Sequence, residues 1–391
     1  MQKVKILEAV KIINDTVKKF DGIRSFLSTG DLDVTVIKSL EEVTYFDKPS
    51  RANQNVKKDD IILARMQGTV KVKIIDSDED NIIVSTGFMV LRCNEGVNNR
   101  YIFHYLKSSL FQSKKDKLCS GATQKAINNN KFAEIRIPLP QLPTQQKIAA
   151  ILDKADELRQ YNKQLIEKYE ALTQSLFLEM FGDIVSNTKE WDKKTLKEIS
   201  LRFSDGPFGS NLKTEHYSES GIQVIRLQNI GINKFNDKEN DKSFVNENHY
   251  NNVLKKYSCY PNDIVIATMG NPNIRACIVP DHISVAVNKA DCVLLRVNSN
   301  IANQIYISSL LNLEAFLNLA ISFIHGQTRS RISSGQLGSI LIPIPPIDLQ
   351  NQFAERVLLI ETQKQQAQEA LAKSEELFQS LLQRAFKGEL N

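Results

Sequence analysis

GATQKAINNNKFAEIRIPLPQLPTQQ, residues 121–146, returns as GQTRSRISSGQLGSILIPIPPIDLQN, residues 326–351. The offset is 205 residues (326 − 121) and holds without a gap into the segments that follow. Gly121/Gly326, Thr123/Thr328, Ile127/Ile332, Ile137/Ile342, Pro138/Pro343, Pro140/Pro345 and Gln145/Gln350 are identical pairs, as are Glu170/Glu375, Leu172/Leu377, Leu176/Leu381 and Phe181/Phe386. A fainter match pairs KKDDIILARMQG, from Lys57, with YPNDIVIATMGN, from Tyr260, and sets Asp60 against Asp263. Such a period is far too long for a solenoid. It predicts a tandem duplication of one globular domain followed by one long helix.

The stretch after each copy is free of internal Gly and Pro. From Gln145 to Phe181, Ile151, Ala155, Leu158, Leu165, Tyr169, Leu172 and Leu176 alternate in fours and threes around Asn162, a heptad seam with one polar member. Phe353, Val357, Ile360, Ala367, Leu371, Phe378, Leu381 and Ala385 keep the same rhythm, interrupted by Lys364 and Ser374. Two such seams predict two helices packed on each other. The Ile-Pro-Leu-Pro and Ile-Pro-Ile-Pro-Pro runs before them predict stiff extended connectors, since proline fixes its own φ and drives the preceding residue out of the helical region. Thr144 is expected to cap the first helix. Residues 1–143 and 183–348 show short β-rich runs, such as Ile61–Ala64 and Ile264–Ala267, with helical stretches between polar turns. The expected class is α/β (α+β): two similar globular domains, 1–143 and 183–348, separated by long helices at 144–182 and 349–391. The helices are expected to pack on each other in a pseudo-twofold molecule.

With 391 residues, 42% apolar and 24% charged, the chain has the composition of an ordinary globular protein. No apolar run is long enough to cross a membrane and no cleavable leader is evident. Five cysteines, widely spaced and without a Cys-x-x-Cys pair, fit a reducing cytoplasm and argue against both a disulfide framework and a zinc site. No Gly-x-Gly occurs, so the usual dinucleotide or S-adenosylmethionine loop is missing, as is a P-loop. Asn271-Pro272-Asn273-Ile274 shares only its first two residues with the loop of amino-methyltransferases and is read as a turn. The five histidines are isolated. A binding protein without catalytic residues, metal or cofactor is the expectation. The rivals are a stand-alone DNA methyltransferase or nuclease with degenerate motifs, and a coiled-coil scaffold.

Nucleic acid is the expected ligand. Between Tyr105 and Phe132 stand Lys107, Lys114, Lys115, Lys117, Lys125 and Lys131 against Asp116 alone, and the equivalent loop of the second copy carries Arg329 and Arg331 beside Thr328. Basic residues mixed with Thr123 and Gln124 suit phosphates and base edges. Asp205-Gly206-Pro207-Phe208-Gly209-Ser210-Asn211-Leu212-Lys213 predicts a shaped loop with polar contacts, and Arg226, Gln228 and Asn229 are side chains of the kind that bind guanine and adenine.

With the duplication, the paired Gly-x-Thr loops, the proline joints, DGPFGSNLK and the long helices in view, the chain resembles the specificity subunits of type I restriction-modification systems. The resemblance covers nearly the whole chain. It implies two target recognition domains that each bind one half of a split, asymmetric double-stranded DNA site. It also implies that the helices form an antiparallel coiled coil, act as spacer and dock two methyltransferase subunits, to which restriction subunits add. The chain departs from the pattern in its first domain, where Phe20-Asp21-Gly22 lacks the Pro-Phe-Gly-Ser continuation.

Overall fold

The computed structural model describes residues 3–76, 81–239, 242–326 and 330–390. It divides into two units, Met1–Gln164 with Ala367–Asn391, and Leu165–Gln366. Both boundaries fall inside the long helices, which run Leu142–Phe181 and Ile347–Lys387.

The first unit holds two four-stranded sheets. One is antiparallel throughout, in the order Val10–Ile13, Phe88–Cys93, Ile61–Ala64, Val72–Ile74. The other runs Glu41–Val43, Arg24–Leu27, Ile82–Ser85, Ala52–Asn55, with one parallel pair between Ile82–Ser85 and Arg24–Leu27. Strand alternation builds two cores from one strand. Ile62 and Ala64 face Leu27 and Val84, while Ile61 and Leu63 face Tyr101, Tyr105 and the long helices. The second unit repeats the plan. Its antiparallel sheet runs Ser200–Ser204, Cys292–Val297, Ile264–Ala267, Arg275–Ile278, and its second sheet again contains a single parallel pair, Ile222–Ile225 with Ala286–Asn288. Val265 and Ala267 face one core, Ile264 and Ile266 the other. The faint Asp60/Asp263 match has a structural cause. Each buried carboxylate takes a two-pronged contact from an arginine of the neighbouring strand, Arg92 at 2.7 and 2.9 Å and Arg296 at 2.7 and 2.7 Å.

The proline joints are held the same way twice. Arg136–Pro138 pairs with Lys3–Lys5, and Leu341–Pro343 with Lys193–Thr195. The Tyr101 hydroxyl donates to the Pro138 carbonyl at 2.7 Å, and Tyr306 donates to Pro343 at 2.8 Å. Gln145 is buried, accepts from the Asn98 N–H at 2.9 Å and donates to the Pro140 carbonyl at 2.8 Å. Gln350 does the same with Asn303 and Pro345, at 2.9 and 2.7 Å. Thr144 is not a cap: the helix has already begun at Leu142, and the Thr144 N–H donates to Gln141 within the first turn. Pro143 is tolerated there because first-turn N–H groups have no partner within a helix.

Each unit packs the start of one long helix against the end of the other. In the first, Ile148, Leu152 and Ala155 share a core with Phe378, Leu382 and Phe386, and Asn162 meets Ser374. In the second, Glu170 pairs with Lys364 at 3.2 Å and Phe177 and Phe181 pack on Phe353. Residue numbers rise on one helix as they fall on its neighbour, so the pairing is antiparallel. The seam on the second helix follows its heptad pattern closely. On the first helix the row Ala155, Asn162, Tyr169, Leu176 is in place, but the alternate row is displaced by one. Leu152 is fully buried and the Arg159 guanidinium lies 4.7 Å from the Phe378 ring, whereas Leu158 and Leu172 are 47% and 48% exposed. Periodicity does not distinguish the two flanks of a shared row. The helix Asn99–Lys107 selects one by packing on it through Asp153 and Asp156.

Here the two copies differ. Asp153 accepts from Arg100 at 3.0 Å and is 2.6 Å from His104 Nε2, and Lys107 donates to Asp156 at 3.1 Å. At the repeat-equivalent positions stand Ile305, Ser309, Asn312, Leu358 and Glu361.

Two predictions follow from this packing. Asn162 sits 6% exposed with one 3.5 Å contact to Ser374, so Asn162→Leu should stabilise the helix pair by about 1–2 kcal/mol in urea unfolding; a loss of stability would show that the amide makes a stronger contact. Burial lowers the His104 pKa below the 6.5 of a free imidazole, so its contribution is full above pH 6.5 and is lost as pH falls through the folded value. Burial alone would raise Asp153, but hydrogen bonds from His104 and Arg100 and their charge hold it at about 2, so its contribution is lost as pH falls from its ordinary 3.8 towards that value. The protection of residues 99–107 against hydrogen exchange, taken relative to the unstructured chain at the same pH, should therefore fall below pH 6 more than that of 304–311. An equal fall in both helices would contradict this.

Candidate nucleic-acid interface

In each unit several strand ends meet at one end of the sheets, and the ends of the duplicated loop are bonded to them. In the first unit the loop 121–125 leaves from a bridge in which Ser120 and Ala126 exchange backbone hydrogen bonds at 3.1 Å. Ile127 N–H donates to the Arg65 carbonyl at 2.9 Å, and Arg65 N–H donates to Gly87 at 3.0 Å. In the second unit His325 and Arg331 make the same bridge at 3.0 and 2.9 Å, Ile332 donates to Thr268 at 3.1 Å, and Thr268 donates to Asp291 at 3.0 Å. Gly121 has φ +141° and Gly326 φ +115°, and a Cβ on Gly121 would lie 2.5 Å from the Gln124 carbonyl oxygen. The identical glycines are thus required by the turn.

Thr123, Gln124 and Lys125 are all exposed on this loop. Arg331 is exposed at the end of the second loop, with Nη1 3.7 Å from the Asp291 carboxylate. Thr328 and Arg329 lie outside the described residues, as does the side chain of Ser210.

The DGPFGSNLK segment reaches the same place. Gly206 is pressed against the backbone of Asn288 and Lys289, where a Cβ would fall 2.2 Å from the Lys289 carbonyl carbon. Pro207 is buried behind it and Phe208 projects, 55% exposed. Gly209 turns the chain at φ +60°. Further on, the Asn211 carbonyl is 2.9 Å from His249 Nε2, and exposed Lys213 is 3.7 Å from Glu215. Burial raises the Asp205 carboxyl above its ordinary range. Lys289 N–H donates to the Ile225 carbonyl at 2.9 Å, which brings the following Arg226 to this end of the sheets. Arg226 is half-buried and Gln228 exposed.

The structure withdraws two residues from the set of surface contacts. Lys115 is fully buried, and its ammonium donates to the carbonyls of Met66 at 3.1 Å and Thr69 at 2.6 Å, tying the 66–69 turn to its helix. Asn229 is fully buried as well, accepting from Arg226 N–H at 2.9 Å and donating to the Asn236 carbonyl at 3.0 Å. Lys114 is partly covered, with Nζ on the Arg136 carbonyl at 3.0 Å beside the proline joint. Sequence reasoning missed Asp291 and Arg275. The guanidinium of Arg275 donates to the carbonyls of Ile230, Leu227, Met269 and Pro272 and so knots the 227–230 and 269–272 turns together. Asn273 in that turn donates to Ser330 at 3.0 Å.

A family model for the type I restriction modification DNA specificity domain matches residues 1–171. The chain is 28% identical over 162 residues to the type I restriction enzyme HindI specificity subunit of Haemophilus influenzae, covering 40% of this chain and about a third (35%) of that relative. It is 25% identical over 320 residues to the MjaVIII specificity subunit of Methanocaldococcus jannaschii, covering 77% and 73% of the two chains. The likeness to type I restriction-modification specificity subunits thus covers residues 1–171 by the family model and 77% of the chain by the second relative. The chain's fold is also that of a chain solved in a study of complex assembly and conformational transition of the type I R-M system, with TM-score 0.62, 20% identity and coverage of 100% and 98%.

In this chain, topology supplies what the first domain's sequence obscures. Residues 14–23 stand between strands Val10–Ile13 and Arg24–Leu27 as residues 205–221 stand between Ser200–Ser204 and Ile222–Ile225. The shorter segment carries Lys18, Lys19 and Phe20, and Arg24 lies 5.4 Å from the Phe20 ring. Among the described residues no group of three or more His, Cys, Asp or Glu is placed to hold a metal ion.

Gly206→Ala should destabilise the second unit by about 1–3 kcal/mol, because backbone atoms rather than flexible side chains occupy the space. Hydrogen exchange at residues 204–213 and 288–292 would report it; unchanged protection would mean that the loop rearranges freely.

Proposed function

We propose that this chain is the specificity subunit of a type I restriction-modification system, performs no covalent chemistry and recognises a bipartite, asymmetric site in double-stranded DNA. Residues 1–143 bind one half-site and residues 183–348 the other. Residues 144–182 and 349–391 set the spacing and dock two methyltransferase subunits, and restriction subunits join that core in the cytoplasm. The contacts proposed in the first half are Thr123, Gln124, Lys125 and partly covered Lys114. Those in the second are the loop Gly206–Lys213, with Arg226, Gln228, Thr328, Arg329 and Arg331.

One observation carries this reading. The two loops start and end on the same backbone hydrogen bonds, while the residues between them differ in sequence. A scaffold repeated in this way can carry different chemistry at equivalent places, as two unlike half-sites require. A helix of 40 residues spans about 60 Å at 1.5 Å per residue, against about 34–36 Å for a turn of B-DNA. Half-sites one to one and a half turns apart are within its reach.

Footprinting of the chain assembled with its methyltransferase subunits should show two protected segments flanking a stretch of indifferent sequence. One short contiguous site would overturn the proposal. If Lys125 meets a phosphate, Lys125→Ala should reduce the slope of log K against log salt by about 1 while weakening all sequences alike.

A further inference from the structure

The two interface ends share their backbone so closely that the exposed side chains can be compared one by one. Gly87 and Asp291 are equivalent: each carbonyl accepts from the N–H of the residue, Arg65 or Thr268, whose own carbonyl anchors the loop, both at 3.0 Å. Ala126 and Arg331 are equivalent by the 205-residue offset and by the bridges they make to Ser120 and His325. A glycine and an alanine in the first unit are therefore replaced by an acid and a base in the second. Asp291 stands in the left-handed region at φ +65°, its carbonyl taking both the Thr268 N–H and hydroxyl, at 3.0 and 3.1 Å. Its carboxylate is 24% exposed and Arg331 is 63% exposed, with 3.7 Å between them.

Resting on the function proposed above, we infer that Arg331 is a base-specificity determinant of the second half-site, binding the major-groove edge of a guanine, and that Asp291 is its positioning residue. The backbone of Arg331 is fixed by the bridge to His325, so its side chain starts from a defined point. Asp291 approaches only the Nη1 corner, beyond hydrogen-bond distance, which leaves the planar fork of donors available for O6 and N7 of guanine. A carboxylate beside the fork restrains its rotamers without occupying it, and repels phosphates that would otherwise draw the arginine onto the backbone. The first unit has nothing of the kind at Gly87 and Ala126, so this contact makes the two half-sites unlike.

The test is modification mapping of DNA from cells expressing the full chain with its methyltransferase subunits. The unaltered chain should give methylated adenines in a split motif; absence of a split motif would sink the proposed function itself. Arg331→Ala should relax a single guanine position of one half-site, with discrimination there falling about 5- to 150-fold and the other half-site unchanged. Arg331→Gln should shift that position towards adenine, whose edge a glutamine matches. Asp291→Asn should relax the same position more weakly, with Asp291→Glu restoring it. An unchanged motif in the Arg331 variants would overturn the inference while leaving the function standing. So would equal loss at both half-sites, or loss of all methylation in every variant, since neither exposed side chain carries the fold.

Discussion

An extended proline connector at the foot of a helix has carbonyls that neither a sheet nor a helix satisfies, and here they are buried. The Tyr101 hydroxyl and the Gln145 carboxamide satisfy two of them, and the same glutamine also takes up the Asn98 N–H at the start of the helix that bears Tyr101. Leaving such groups unpaired costs about 1–3 kcal/mol each. The contact therefore fixes domain, connector and long helix at one angle. It also places Tyr101 and Tyr105 against Phe386, with ring centroids 5.4 and 5.1 Å apart. Tyr306, Gln350 and Phe181 repeat the arrangement, Phe181 lying 4.7 Å from Tyr306. The identical Gln and Phe pairs in the sequence are the two ends of this clamp.

Much of this was legible because it is written twice. Duplication singles out Gly121/Gly326 and Asp60/Asp263 without any knowledge of what they touch, and the structure supplies a turn and a buried ion pair. What was not legible depends on burial across the fold. Lys115 and Lys125 look alike in a lysine-rich stretch, but one faces the carbonyls of a turn nearly fifty residues earlier and the other faces outward. Asn229 resembles a base-contacting amide in type and neighbours, and its donors and acceptors are consumed by its own loop. The displaced seam row has the same origin, since only the covering helix decides which flank of Ala155–Asn162 is inside. Thr144 failed as a cap because Pro143 and Leu142 were already helical, an outcome local composition does not forbid.

The polar cluster in the first unit shows how far copies can drift while keeping a common frame. Arg100, His104, Lys107, Asp153 and Asp156 bury charge where the second copy has Ile305, Ser309, Asn312, Leu358 and Glu361. In the second copy Ile305, Ser309, Leu358 and Glu361 line an open pocket instead, and Leu358 is 56% exposed, so the common frame is kept without a matching network of side chains at this place.

The interface loops are freer still, for a reason visible in their hydrogen bonds. Residues 121–125 are anchored through backbone groups, Ser120 to Ala126 and Ile127 to Arg65, and His325 to Arg331 and Ile332 to Thr268 repeat these bonds in the second unit, where Ser330 adds a side-chain bond to Asn273. Thr123, Gln124 and Lys125 are exposed and can be exchanged at little cost to the scaffold, which is not true of Gln145, Tyr101 or Asp60. The proposed recognition of DNA, with one geometry serving many sequences, needs this separation. Fold-bearing contacts lie in the clamp and cores, and positions such as 87, 126, 291 and 331 are held chiefly through their backbone.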